Sequence, residues 1–234
     1  MTSPLPLILL PGLACDAALW RDQAGPLAAA GPVQVSDVHT RAPTLPAMAA
    51  LLLAEHPGPL ALAGSSMGGM LALAAWRQAP QRVRGLALLG TTARADTPEV
   101  QQLRRDGIEA FEQGRMDEVL RANLLFAFHP ANADALADDY LAMVRRAGAA
   151  QLIAQNRAVM AREDLRPLLP GITCPTLVVV GDSDRLTPPA CAEDIAAAIP
   201  QAHLLRLPDC GHLLTWEQPT RVTAALLAWR QGLA

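Results

Sequence analysis

The chain has no lysine: every one of its 19 basic residues is arginine. That excludes Schiff-base lysines, serine–lysine catalytic pairs and phosphate-binding P-loops. Excess positive charge is missing as well. At a net charge of −3 there is no basic footprint for nucleic acid or an anionic membrane. The four cysteines, Cys15, Cys174, Cys191 and Cys210, have neither paired nor metal-ligand spacing. Reduced thiols are expected, with no metal and no cofactor. No uninterrupted apolar run reaches the length of a membrane span, and the segment MTSPLPLILLPG lacks the basic start and long apolar stretch of a signal peptide. A soluble, cytoplasmic protein is expected.

What is present is a large apolar content, 51% of 234 residues, enough for one substantial core and far from the composition of disorder. The organising stretch is LALAGSSMGGM at 60–70. Its apolar run 60–63 is short enough for a buried strand, and helix-forming residues follow from Met70 to Ala79. Between them lies a glycine turn around Ser66, with Gly64 two residues before and Gly68 two after. A serine on so sharp a strand-to-helix turn is held in a strained backbone conformation, and the flanking positions must lack bulk because strand and helix nearly touch. Ser66 is therefore the candidate nucleophile, with Ser65 beside it.

Strand-like runs fall at 5–10, 33–38, 60–63, 83–89, 175–180 and 202–207. Helices are expected at 17–30 (interrupted at Gly25-Pro26), at 45–56 with Thr44 as cap, after the Ser66 turn, from Pro188 or Pro189 to about 199, and at 217–233. Alternation of this kind implies right-handed crossovers and a parallel sheet covered on both faces. The alternation stops between Thr91 and Thr173. There four helix-like segments, 98–113, 116–128, 132–146 and 149–162, occur with no convincing strand. The expected organisation is a core of residues 1–92 and 170–234, with residues 93–169 inserted as a helical cap over the crevice at the carboxyl ends of the strands.

A serine needs a base, and the base an orienting acid. His39 and His56 precede the serine, His129 lies in the insert, and His203 sits in or beside a strand with no glycine to release it. His212 follows the last strand in Asp-Cys-Gly-His, where a turn can bring its imidazole back over the sheet. Two carboxylates compete at the end of the 175–180 strand. Asp182 directly follows a glycine and could bond its own turn. Asp184, one step further out, can reach toward His212 and is preferred. Two backbone amides should stabilise an oxyanion: that of Met67, at the helix start, and that of Leu13, in the loop where Gly12 permits close approach.

With these motifs assembled, the sequence resembles the α/β-hydrolase fold family, in its small bacterial type with a helical cap. The matching pieces are LILLPGL at 7–13, GSSMGG at 64–69, PTLVVVGDSDRLTPP at 175–189 and DCGHLLTWEQP at 209–219. The resemblance implies an α/β fold with about six parallel strands, helices on both faces, and the chain order nucleophile, acid, histidine. There are departures. Pro11 stands where the family usually has histidine before the oxyanion glycine, and Ser65 replaces the bulky residue common before the nucleophile.

All three phenylalanines and the single tyrosine (Phe111, Phe126, Phe128, Tyr140) lie in the insert, where acids slightly outnumber arginines. They either roof an apolar substrate pocket, to which Phe126, Phe128 and Ser65 would contribute, or form the insert's own core. The balance of charge makes the insert no landing pad for an acidic carrier protein, although Arg104 or Arg157 could meet a substrate carboxylate. The expected activity is hydrolysis of a small carboxylic ester or related acyl compound through an acyl-enzyme. The alternatives are a lactonase, thioesterase or carbon–carbon hydrolase using the same three residues, or a weakly catalytic ligand receptor. The oligomeric state has no signature in the sequence.

Overall fold

A computed structural model describes residues 5–233. The apolar runs form six strands: β1 Leu7–Leu10, β2 Val33–Val35, β3 Leu60–Ser65, β4 Val83–Leu89, β5 Thr176–Gly181 and β6 Ala202–Leu207. All pair in parallel, in the order β2-β1-β3-β4-β5-β6. Every residue of β1, β3 and β5 is buried, as central strands covered on both faces require, whereas the edge strands β2 and β6 are partly exposed. The strand order reverses between β1 and β3, and the carboxyl ends of those two strands open a crevice between their loops.

Helices α1 Arg21–Ala29 and α9 Pro219–Gln231 cover one face of the sheet. Helices α2 Leu45–Glu55, α3 Met67–Gln78 and α7 Pro189–Ala198 cover the other. Alternate strand residues divide accordingly, Ile8, Leu62 and Val178 toward the second group and Leu7, Ala63 and Val179 toward the first. Thr44 caps α2, its hydroxyl accepting from the Ala47 amide at 3.2 Å.

Three boundaries differ from expectation. A 3₁₀ turn at Ala17–Trp20 leads into α1, which continues through Pro26. The proline forfeits only the bond its missing amide would make to Asp22, while buried Leu27 holds the helix to the sheet. The second strand stops at Val35, and a turn at Val38–Thr40 follows. The last helix is broken, because Gln218 precedes Pro219 and takes an extended φ of −132°; α8 Leu214–Glu217 is a separate turn.

The insert between β4 and β5 holds α4 Pro98–Glu112, α5 Met116–Ala127 and α6 Pro130–Met160. Gly148, at φ 76° and ψ 167°, breaks α6 into two helical stretches, so four segments are present. Phe111, Leu120, Phe128 and Tyr140 are buried in the same apolar cluster as Leu7 and Leu9 of the sheet. At the base of the insert Asp96 lies buried between Arg104, at 2.8 Å, and Arg162, at 2.6 Å. Among the described residues, no helix is long and apolar enough to cross a membrane and no cluster of metal ligands occurs.

Candidate active site

The turn between β3 and α3 leaves no room for side chains at its glycines. A Cβ on Gly64 would overlap the Gly68 backbone, and one on Gly68 would overlap the Leu10 carbonyl at the end of β1. The chain can make this crossing only with Ser66 in the left-handed region, at φ 54° and ψ −117°. Its backbone is pinned on both sides. The Ser66 amide donates to the Leu89 carbonyl at 2.9 Å, and the Ser66 carbonyl accepts from the Thr91 hydroxyl at 2.7 Å. From Leu60 to Ala75 every residue except Ser66 is buried. Its side chain is the one that reaches outward.

The Asp184–His212 pair stands on the other side of the β4 end. A Cβ on Gly90, next to the Leu89 that holds Ser66, would lie 3.4 Å from both Asp184 Oδ2 and His212 Nδ1. His212 Nδ1 donates to Asp184 Oδ2 at 2.8 Å. The same oxygen accepts from the Thr187 hydroxyl at 2.8 Å, and Oδ1 accepts from the amides of Leu186 and Thr187 at 2.9 and 2.8 Å. All four bonds favour the carboxylate form. Burial pushes the Asp184 carboxyl up, but the charge of His212 and the bonds from His212 and Thr187 outweigh it and hold the group below its ordinary range. For His212, burial disfavours the charged ring; the charge and hydrogen bond of Asp184, with the charge of Glu217, win and raise its pKa above 6.5. Asp182, by contrast, is exposed and accepts from the Ser183 hydroxyl and the Asp209 and Cys210 amides. It braces the turn ahead of His212 and makes no bond to the imidazole.

Met67 is the first residue of α3, so its amide has no acceptor within the helix and sits at the positive end of the helix dipole. The loop after β1 crosses directly over Ser66: a Cβ on Gly12 would lie 3.3 Å from Ser66 Cβ. In that loop the Ala14 amide is taken by Gln155 at 2.7 Å and the Cys15 amide by Gly12 at 3.1 Å. The Leu13 amide has no acceptor among the described residues. Three non-glycine residues among those described have positive φ: Ala14, Ser66 and Asp209. They lie in the loops of Leu13, of Ser66 and of His212. Strained residues of this kind persist where the surrounding structure over-determines them, which is characteristic of functional sites.

The other sequence candidates separate. Ser65 ends β3 and is buried. Phe128 is 3% exposed, packs edge-on against Tyr140 with ring centres 5.5 Å apart, and its backbone abuts Gly211, next to His212. Phe126 is 45% exposed and faces outward. Arg104 is committed to Asp96 and Asn156, and Arg157 to Glu112 on the surface, so neither carries a free charge toward a substrate.

Three further residues touch this site that the sequence did not single out, although Thr187 and Glu217 lie within two of the matching motifs. Thr187 locks Asp184. Glu217 accepts the amides of Gly211 and His129, bridging the His212 loop to the insert. Gln155 reaches the Leu13 loop from α6. The hydroxyl at 187 lies within reach in sequence, but Gln155 lies 141 residues from its partner, and nothing in either segment announces the pairing.

Comparison with known proteins bears on the fold that carries this site. The family described as alpha/beta hydrolase fold matches residues 44–219. A pimeloyl-[acyl-carrier protein] methyl ester esterase of Xanthomonas oryzae pv. oryzae is 31% identical over 191 residues, 78% of this chain and 74% of that protein. A thermophilic esterase from Thermogutta terrifontis superposes with a TM-score of 0.89 at 30% identity, covering 100% of this chain and 92% of the other. An enol-lactonase from Burkholderia xenovorans, at 24% identity and a TM-score of 0.86, covers 98% and 92% and shares the fold.

Proposed function

This chain belongs to the α/β-hydrolase fold family, and on that premise we propose that it is a serine hydrolase of small carboxylic esters, with Ser66, His212 and Asp184 as its catalytic triad. The observation that carries the reading is the strained, outward-reaching Ser66, set beside the Gly90 that contacts a buried Asp184–His212 pair. His212 Nε2 takes the Ser66 proton as Oγ attacks the acyl carbon. Asp184 keeps the Nδ1 proton in place and stabilises the imidazolium that forms. The amides of Leu13 and Met67 receive the oxyanion. Collapse of the tetrahedral intermediate expels the alcohol, which leaves with the proton from His212. Water activated by the same histidine then cleaves the acyl-enzyme, releasing the acid and restoring Ser66.

Residues 93–169 act in this reading as a cap over a core of 1–92 and 170–234, in a soluble cytoplasmic enzyme. Most arginines of the cap are paired with carboxylates, among them Arg104, Arg115, Arg145, Arg157 and Arg162. That favours a free, neutral ester over one borne on an acidic carrier protein. It also sets this chain's proposed substrate apart from the one printed in the name of its Xanthomonas relative.

Labelling tests the assignment. A sulfonyl fluoride should add once per chain, and peptide mass spectrometry should place the adduct on Ser66. Burst release from a chromogenic ester should disappear in Ser66→Ala. An adduct on Ser65, or ester turnover with neither burst nor adduct, would overturn it.

A further inference from the structure

Gln155 closes a ring of hydrogen bonds around the loop that carries Leu13. Its Oε1 accepts from the Ala14 amide at 2.7 Å, and its Nε2 donates to the His39 carbonyl at 3.0 Å. The His39 ring returns to the same loop, Nε2 donating to the Cys15 carbonyl at 2.9 Å. A carbonyl only accepts, so Nε2 carries the ring proton. The whole ring is shut away from water, with Gln155 1% and His39 3% exposed. Burial also lowers the His39 pKa, against weaker opposing contributions from the Cys15 bond and from Asp37 and Asp16, which keeps the ring neutral and the ring of bonds intact.

The ring grips a residue that needs gripping. Ala14 sits at φ 57°, which a non-glycine residue adopts only at a cost. If the Gln155 oxygen is removed, the Ala14 amide is buried without an acceptor, and the strained conformation loses the bond that opposes its relaxation. Leu13, one residue earlier, would turn with it. Because Gln155 belongs to the distal stretch of α6, in the insert, the geometry of this loop depends on the insert being seated.

We propose that Gln155 is a positioning residue for the oxyanion hole, through which the inserted helices set the Leu13 amide against Ser66. This rests on the serine-hydrolase reading above. Its distinguishing mark is selectivity for the transition state: a displaced oxyanion donor costs rate and leaves binding of the neutral ester alone.

The test compares the wild-type enzyme with Gln155→Leu and Gln155→Met, the latter of nearly the same length and shape, with rates expressed per active site titrated by the burst. Loss of an oxyanion donor outright costs about 10²–10³ in kcat, so displacement of one is expected to cost roughly 10-fold. KM should stay within about 2-fold, while the affinity for a trifluoromethyl ketone, which forms an oxyanion on Ser66, should fall by the same factor as kcat. If Gln155→Leu does not fold, Gln155→Met decides. Variants that lose only thermal stability, with per-site kcat and ketone affinity unchanged, overturn the proposal. So does a loss confined to KM. Failure of the underlying reading looks different: the wild type itself would then show no burst and no adduct at Ser66.

Discussion

In the sheet, β1, β3 and β5 are buried at every residue, and their neighbours are apolar side chains from helices on both faces. In the insert, Leu103 is 69% and Leu125 71% exposed, and the helices are tied together by ion pairs: Arg145 to Asp117, Arg157 to Glu112, and Arg104 and Arg162 to buried Asp96. Apolar burial is non-directional and cooperative, whereas exposed ion pairs such as Arg145–Asp117 and Arg157–Glu112 contribute about 0–1 kcal/mol each. The sheet thus supplies a rigid floor on which Ser66 and the Asp184–His212 pair are fixed. The insert joins the same core through buried Phe111, Leu120, Phe128 and Tyr140, and beyond that face it is held by exposed ion pairs.

The contrast can be broken at its strongest point by altering the floor. Asp184→Asn should reduce kcat by ~10⁴, the cost of leaving the imidazole in the wrong tautomer, with the fold retained. Asp182→Asn, which touches only a turn, should cost far less. Steady-state kinetics on both variants decides, and a larger effect from Asp182→Asn would reverse the assignment.

Within the insert, Phe128 and Phe126 divide the buried face from the exposed one. Phe128→Ala empties a buried site and should destabilise by about 3–5 kcal/mol, while altering acyl-chain preference because the residue lies next to the His212 loop. Phe126→Ala removes a half-exposed ring and should stay within roughly 0.5 kcal/mol. Denaturant unfolding and a series of acyl lengths measure both. Equal effects would mean that exposure in the insert does not report anchoring.

The mildest prediction concerns pH. In its proposed role His212 can accept a proton only when neutral, and its pKa is raised above 6.5, so kcat/KM should fall as pH drops through an apparent pKa higher than that value. Glu217, the bridge to the insert, contributes part of the rise. Glu217→Gln should therefore move the acid limb to lower pH, in a direction that loss of folded protein would not produce. A limb that stays in place would show that the bridge acts through its hydrogen bonds alone.

The sheet was legible because each of its signals is local. Runs at 83–89 and 202–207 coincide with β4 and β6, and the glycines around Ser66 declare a steric constraint that the structure contains. Asp184 and His212 could be chosen by placing each at the end of a strand. Local grammar failed where tertiary contact overruled it, as Pro26 continues a helix held down by buried Leu27; the break at Gln218 obeys a local rule, because Pro219 follows it. The supporting residues were beyond reach for a different reason. A glutamine in the insert looks the same in sequence whether it faces water or holds Ala14, and only the folded chain brings residues 14, 39 and 155 together.

Two of the insert's holds on the site differ in what inheritance can do to them. The amides of His212 and Leu213 both donate to the Ala127 carbonyl, at 3.0 and 3.2 Å. That strap is main chain to main chain, and every residue type carries the carbonyl it uses. A change of side chain at residue 127 therefore leaves this strap to the His212 loop in place. The hold on the Ala14 amide hangs on one side chain, that of Gln155, while Arg146 pairs with Asp16 further along the loop. The strap survives a change of side chain at residue 127, whereas almost any change at residue 155 removes the acceptor of the Ala14 amide.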